Sequence, residues 1–279
     1  MIVIARVEMG KSKKTQFICH SCGHVSLRWL GRCPDCNKWD SLVEETVISK
    51  KEKQHLTFAA SQPELINDIT ATDYQRLSTR IGEFDRVLGG GMVEGSLILI
   101  GGEPGIGKST LTLQSMGYLA RQGKKVLYVS GEESGSQIKL RAERLDALSK
   151  NLLICSEICV EGIIQWVDKI RPEVLVLDSV QTFYTEDLQS APGSIGQVRE
   201  VAFKIFQEIK IRNLPTLIIG HINKDGAIAG PKSLEHIVDT VVYFEGEQGH
   251  AFRALRTIKN RFGPTPEIGV FQMAPTGLL

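Results

Sequence analysis

The stretch GGEPGIGKST, Gly101 to Thr110, decides the fold. It carries Gly102, four intervening residues, then Gly107, Lys108 and Ser109, the spacing of a phosphate-binding loop. The run before it, GSLILIGG from Gly95 to Gly102, reads as a buried strand, and residues 108–122 read as a helix. A glycine-rich turn leading from strand to helix is the setting that such a loop needs. Successive backbone N–H groups can then point at phosphate oxygens, so Gly102, Glu103, Pro104, Gly105, Ile106 and Gly107 are expected to form the cradle. The helix N-terminus adds the positive end of its dipole. Lys108 is expected to bridge the β- and γ-phosphates of ATP, and Ser109, with Thr110 beside it, to ligate Mg²⁺.

Around this loop, apolar runs alternate with amphipathic stretches. KKVLYVSG (124–131), LLIC (152–155), EVLVLDSV (173–180) and PTLIIGH (215–221) read as strands. SQIKLRAERLDALS (136–149), with Ile138, Leu145 and Leu148 among its apolar positions, reads as a helix, as do residues 160–170 and 196–213. Near-continuous apolar strands separated by helices imply an α/β fold with a mostly parallel sheet covered on both faces. Residues 240–260 then read as a hairpin with a Gly-containing turn, and EIGVFQM (267–273) as a last strand. Ligands of open α/β sheets collect at the carboxyl ends of the strands. Asp178 ends VLVLD and suits Mg²⁺ held through water. Glu132 and Glu133 follow VLYVSG; Glu132 is favoured as the base that positions the attacking water, with Glu133 as the alternative. His221, on the same rim, is either a γ-phosphate sensor or a capping residue.

Cys19, Cys22, Cys33 and Cys36 form two C-x-x-C knuckles. Four thiolates at this spacing can close a tetrahedron around Zn²⁺, with His20 and His24 as nearby competitors. Gly23 and Asn37, each directly after a knuckle, suit the tight turns required. The complete ligand set leaves no open position for a substrate, so the metal is expected to be structural. Trp29, Arg28, Arg32 and Trp39 are available for contact, with packing of the two Trp over the little core as the favoured expectation for them. Residues 46–75 are polar, with little periodicity, and read as a linker between a ribbon over residues 1–45 and the α/β part over 76–279.

The totals exclude little. Hydrophobic residues at 42% and charged residues at 23% describe an ordinary globular chain. No run approaches the roughly 18 apolar residues of a membrane span, and residues 1–17 lack the pattern of a signal peptide, so a cytoplasmic location is expected. The net charge of +1 argues for no partner by itself.

Taken together, CHSCGHVSLRWLGRCPDCNKWDSL, GEPGIGKSTL, YVSGEES, VLDSVQT, APGSIGQVRE, AIAGPKSLEHIVDTVVYFEGE and LRTIKNRFGPTPEIGVFQM resemble the bacterial RadA/Sms DNA-repair family over almost the whole chain outside the linker. The resemblance implies a RecA-like ATPase core assembled into a homo-hexameric ring. It implies ATP-driven translocation on single-stranded DNA and branch migration in homologous recombination, with a RecA-type recombinase as partner. It also implies DNA-facing loops at about Thr185–Arg199 and Asn223–Lys232, which carry Arg199, Lys224 and Lys232. Family members continue into a C-terminal Lon-protease-like domain, and this sequence stops at Leu279, short of it. KNRFG, Lys259 to Gly263, places two cations two residues apart, on one side of an extended strand. In a ring, Lys259 and Arg261 are expected to face the neighbouring subunit's nucleotide and stabilise charge in trans, as an arginine finger does. Contact with DNA is their rival role. The competing reading of the whole is a nucleotide-switched regulatory ATPase that binds proteins rather than DNA.

Overall fold

The computed structural model describes residues 14–19, 21–47, 65–68, 75–221, 234–246 and 250–279. It divides into two compact units, Met1–His55 with Asp187–Ser190, and Leu56–Glu186 with Ala191–Leu279. No helix among the described residues is long and apolar enough to cross a membrane.

In the first unit, β1 (Lys14–Cys19), β2 (Val25–Ser26) and β3 (Leu42–Val47) form an antiparallel sheet in the order β2-β1-β3. Its interior is small: Cys19, Cys33 and Leu42 are buried, with Phe17 and Cys36 packed against them. Trp29 and Trp39 do not cover this core, contrary to the expectation from sequence; they are 56% and 72% exposed. The cysteines and Leu42 already fill the interior, so the two indoles flank Gly31 instead, and the Arg32 guanidinium lies 5.8 Å from the Trp39 ring centroid.

Among the described residues the second unit opens with a 3-10 turn at Ile66–Asp68, followed by β4 (Arg76–Leu77), α1 (Gly82–Val87) and β5 (Met92–Val93). The alternation expected from sequence follows: β6 (Leu97–Gly102), α2 (Lys108–Arg121), β7 (Val126–Ser130), α3 (Gly135–Arg144), β8 (Leu152–Cys155), α4 (Val160–Ile170), β9 (Val174–Asp178), α5 (Ile195–Arg212) and β10 (Thr216–His221). Then come β11 (Thr240–Glu245), β12 (Phe252–Asn260), β13 (Ile268–Ala274) and a short β14 (Gly277–Leu278). Among the described residues they build a nine-stranded sheet in the order β14-β13-β12-β11-β6-β10-β9-β7-β8. It is parallel from β8 to β11 and antiparallel beyond. Successive strand residues feed opposite layers. Ile98, Val126, Tyr128 and Val176 pack with α2 and α3, while Leu99, Leu127, Val129 and Leu177 pack with α4 and α5. Burial on both faces is why these strands read as unbroken apolar runs.

One helix is shorter than its periodicity predicts. The pattern over 136–149 is helical only to Arg144, because Asp146 turns left-handed (φ 49°) and the Ala147 N–H folds back onto the Ala142 carbonyl at 2.8 Å. Leu148, assigned to the apolar stripe, is 51% exposed as a result. The turn seats Ala147 against α2, where a Cβ on Gly117 would lie 2.4 Å from the Ala147 Cβ. Gly117→Ala therefore sets a helix-propensity gain of about 1 kcal/mol against overpacking of about 1–3 kcal/mol. The steric term is expected to win, and urea unfolding should give a lower midpoint; a raised midpoint would contradict this close approach.

Candidate functional site

The glycine-rich loop joins β6 to α2 at the rim where the parallel strands end. Gly107 sits at the head of α2 with φ 121°, a conformation that strains any side chain. A Cβ on Gly102 would lie 2.9 Å from the Phe244 carbonyl of the adjacent strand. The Lys108 ammonium is buried and donates at 2.8 Å to the carbonyls of Gly102 and Glu103, so it folds back over its own loop. Burial lowers its pKa to about 8, against the pull of Asp178, Glu132 and Glu103.

β9 runs between β7 and β10 and delivers Asp178 to the same rim. Asp178 is 5% exposed. Burial raises its pKa; hydrogen bonds from Tyr128 and Ser109 oppose that rise. The Tyr128 hydroxyl donates to Asp178 Oδ2 at 2.5 Å. Lys108 and Ser109, adjacent in sequence, thus share one neighbourhood with the distant Asp178.

The two acids after β7 part company. Glu132 accepts a hydrogen bond from the Ser179 hydroxyl and lies 3.0 Å from His221 Nε2, which joins the ends of β7, β9 and β10. The His221 contact, with help from Ser179, holds the Glu132 carboxyl below its ordinary pKa. Glu133 is ion-paired with Arg141 of α3, and its N–H donates to Ser130 Oγ at 3.0 Å. Sequence reasoning left these acids as alternatives; the geometry puts Glu132 in the cluster with His221 and commits Glu133 to α3. It missed Tyr128, Ser179 and Arg141. The Tyr128 hydroxyl within the apolar run VLYV was the available signal, since a buried tyrosine needs a partner.

The donor set suits the groups that the loop implies. A buried ammonium beside a glycine cradle fits phosphate, and a hydroxyl next to a buried carboxylate offers the hard oxygen ligands that Mg²⁺ takes.

KNRFG is occupied within its own chain. Lys259 Nζ donates to the carbonyls of Glu235 (2.6 Å) and Val238 (2.8 Å). Arg261 Nη1 lies 3.0 Å from the buried Asp239, whose other oxygen meets Lys210 Nζ at 2.8 Å and the Leu97 N–H at 3.0 Å. Arg261 falls just past the end of β12, so strand alternation does not orient it; the two cations converge because both reach the 235–239 segment. Phe262 gives its carbonyl to Arg76 at 2.6 Å, and Gly263 abuts Gly89, where a Cβ would come within 3.0 Å.

Of the residues expected to face DNA, Arg199 is exposed on the first turns of α5, while Lys224 and Lys232 lie outside the described residues. The chain leading to that region is anchored at Thr185, which donates to Glu161 Oε1 at 2.5 Å and exchanges backbone hydrogen bonds with the buried Gln197 amide.

In the ribbon, the four sulfurs of Cys19, Cys22, Cys33 and Cys36 lie within 4.8 Å of one another. The closest pairs are 3.5 and 3.6 Å apart. Tetrahedral Zn–S bonds of about 2.3 Å imply sulfurs ~3.8 Å apart, so the set fits the ion. Gly23 (φ 78°) and Asn37 (φ 59°) take the left-handed turns expected of them. His24 is engaged with Asp35 at 2.9 Å rather than with the cysteines; His20 lies outside the described residues.

A family model described as "AAA domain" matches residues 62–227, more than half of the chain. The chain belongs to the AAA domain family. A second model, "Rubredoxin metal binding domain", matches residues 17–44. Over nearly its whole length, beyond both model matches, the chain is similar to proteins named "DNA repair protein RadA". That of Campylobacter jejuni is 51% identical over 274 residues, 97% of this chain and 61% of the relative. Those of Listeria monocytogenes and Bacillus subtilis are each 48% identical over 97% of this chain and 60% of their own length. The chain thus spans about three fifths of the length of the curated relatives it matches. The resemblance to RadA/Sms read from the sequence is borne out. A crystal structure of a KaiC-like protein from Pyrococcus horikoshii matches with a TM-score of 0.61 at 20% identity, covering 74% of this chain and 99% of that one. The AAA domain therefore has the RecA-like P-loop fold expected from the sequence, preceded by a four-cysteine ribbon of the zinc-binding kind.

Proposed function

We propose that this chain is the ribbon and ATPase part of a DNA-repair motor of the RadA/Sms kind. It would hydrolyse ATP in response to single-stranded and branched DNA, driving translocation and branch migration in homologous recombination beside a RecA-type recombinase. Residues 1–45 form the metal ribbon, 46–75 the linker and 76–279 the ATPase domain, which works in the cytoplasm as a homo-hexamer. The observation that carries this reading is the meeting of Lys108, Ser109, Asp178 and Glu132 at one rim of the sheet. The names of the RadA relatives supply its DNA-repair setting.

In this mechanism the loop from Gly102 to Thr110 wraps the phosphates, and Lys108 leaves the Gly102 and Glu103 carbonyls to neutralise them. Ser109 and Asp178 would hold Mg²⁺, which when bound shields the phosphate charge that builds up during transfer. Glu132, kept ionised by His221 and Ser179, orients the attacking water and accepts its proton. Lys259 and Arg261 act across the ring interface, where Arg261 exchanges Asp239 for the neighbour's nucleotide; Lys210 stays to balance Asp239. Arg199, Lys224 and Lys232 face DNA.

The test is ATP hydrolysis by the assembled ring with and without single-stranded DNA, at two salt concentrations, because phosphate contacts weaken with salt. DNA stimulation that fades at high salt is expected; its absence would sink the motor. Arg261→Ala should retain nucleotide binding and lose DNA-stimulated turnover. Normal hydrolysis with lost DNA binding would reassign Arg261 to DNA.

A further inference from the structure

We propose that Tyr128 is a positioning residue for metal-bound nucleotide: by donating to Asp178 Oδ2 it fixes the rotation of that carboxylate and leaves Oδ1 to meet the metal's water. The inference rests on the phosphate-site reading above and adds a residue to it.

Tyr128 is 1% exposed and lies in the core of the sheet, two residues before the end of β7. The parallel register sets it opposite Val176, and Ser130 opposite Asp178, so its ring must reach forward along the strand to place its hydroxyl on the neighbouring strand's last carboxylate. The bond that results is 2.5 Å long, between two groups nearly removed from water. Hydrogen bonds to a charged group are strong under these conditions. Ser109 also bonds Asp178 in this structure, but that hydroxyl is the one that would turn to the metal; without Tyr128 the carboxylate could then rotate about its last bond, and each rotation would move the oxygen that a metal's water must find. Tyrosine is suited to prevent this because it is a neutral donor. A lysine or arginine in its place would bring a positive charge to the carboxylate and compete with the cation. Arg141, the cation of α3, is kept on Glu133 instead. Phenylalanine would fill the same core volume and hold nothing.

Packing alone would make Tyr128 matter for stability, and would weaken all nucleotide binding alike. Positioning makes a narrower claim, that only the metal-dependent part moves. The experiment compares wild type with Tyr128→Phe. A fluorescent ADP analogue is titrated without metal and across a Mg²⁺ series, Mn²⁺ replaces Mg²⁺ for electron paramagnetic resonance, and thermal melting is recorded in parallel. Metal-free ADP affinity should stay within about twofold. The Mg²⁺ concentration that half-saturates the metal-dependent gain should rise about tenfold, the scale of one hydrogen bond to a charged group. In an Asp178→Asn background the same substitution should change the Mg²⁺ requirement by less than about twofold. A folded Tyr128→Phe with the wild-type Mg²⁺ requirement overturns the inference while leaving the phosphate site standing. A wild type whose ADP affinity ignores Mg²⁺ overturns the phosphate-site reading and the inference together. If Tyr128→Phe does not fold, 3-fluorotyrosine at position 128 keeps the shape and alters donor strength. It should shift the Mg²⁺ requirement, and an unchanged requirement would again overturn the inference.

Discussion

Lys108→Ala lowers ATP turnover about 10²- to 10³-fold, the scale measured when one preorganised charge-stabilising group is lost from a reaction centre. The variant should still fold, because Lys108 packs through its stem and spends its ammonium on two loop carbonyls rather than on a core partner. The wild-type protein carries a pH signature that the variant lacks. In the free protein, burial lowers the Lys108 pKa to about 8. Below that pH the ammonium is charged and ready for phosphate. Above it, nucleotide must restore the proton, so affinity falls as pH rises through 8, and binding takes up a proton there. Folding has the opposite linkage: the unfolded chain holds this proton more tightly between about 8 and the ordinary 10.5, so this group's contribution to stability rises with pH in that window. Calorimetry of nucleotide binding at pH 8.5 in two buffers of different ionisation heat measures the uptake directly. Uptake that persists in Lys108→Ala would assign it to another group. Unchanged turnover in that variant would refute the phosphate site.

The fold was legible because its strands announce themselves. LILIGG, VLYVS, VLVLD and TLIIGH are apolar at nearly every position that two covered faces require; the first ends in the glycines of the loop, and the others end on Ser130, Asp178 and His221. Lys108, Asp178 and Glu132 could be placed at one rim from that logic alone. What sequence could not supply was register and reach. Glu132 and Glu133 are adjacent and chemically equal, and only the positions of Ser179, His221 and Arg141 separate them. The partner of Tyr128 depends on which residue of β9 lies beside it. KNRFG looked like two free cations because Asp239 and the carbonyls of Glu235 and Val238 are distant in the chain and come close only through the β11–β12 pairing. The helix that stops at Arg144 shows the same limit from another side. Its apolar spacing continued, while Asp146 turned the chain so that Ala147 could dock beneath Gly117.

Stripping the metal from the ribbon is expected to unfold it and leave the ATPase unit intact. The ribbon's described interior consists of Cys19, Cys33 and Leu42, with Phe17 and Cys36 at its margin, and two of its largest apolar side chains, Trp29 and Trp39, stay in solvent. So little burial cannot order a segment of this length, and metal must supply the difference. Structural zinc contributes about 10–16 kcal/mol, comparable to or larger than the ~5–15 kcal/mol that stabilises a whole domain. Tryptophan fluorescence would report the loss poorly, since both indoles are already exposed. Amide exchange is the better probe. The Cys19 N–H is bonded to His24 O at 2.8 Å and the Cys33 N–H to Lys38 O at 2.9 Å, and each bond exists only while its knuckle is closed. Chelation should open both to exchange, while amides of Leu99 and Val176 in the large sheet remain protected. Cys33→Ser should do the same without chelator. Metal analysis should find about one Zn²⁺ per chain; four thiolates also accept iron, so a red protein would change the metal without changing the fold argument. Protection at Cys19 and Cys33 that survives removal of every ion would show that the ribbon holds itself together, and the four cysteines would need another explanation.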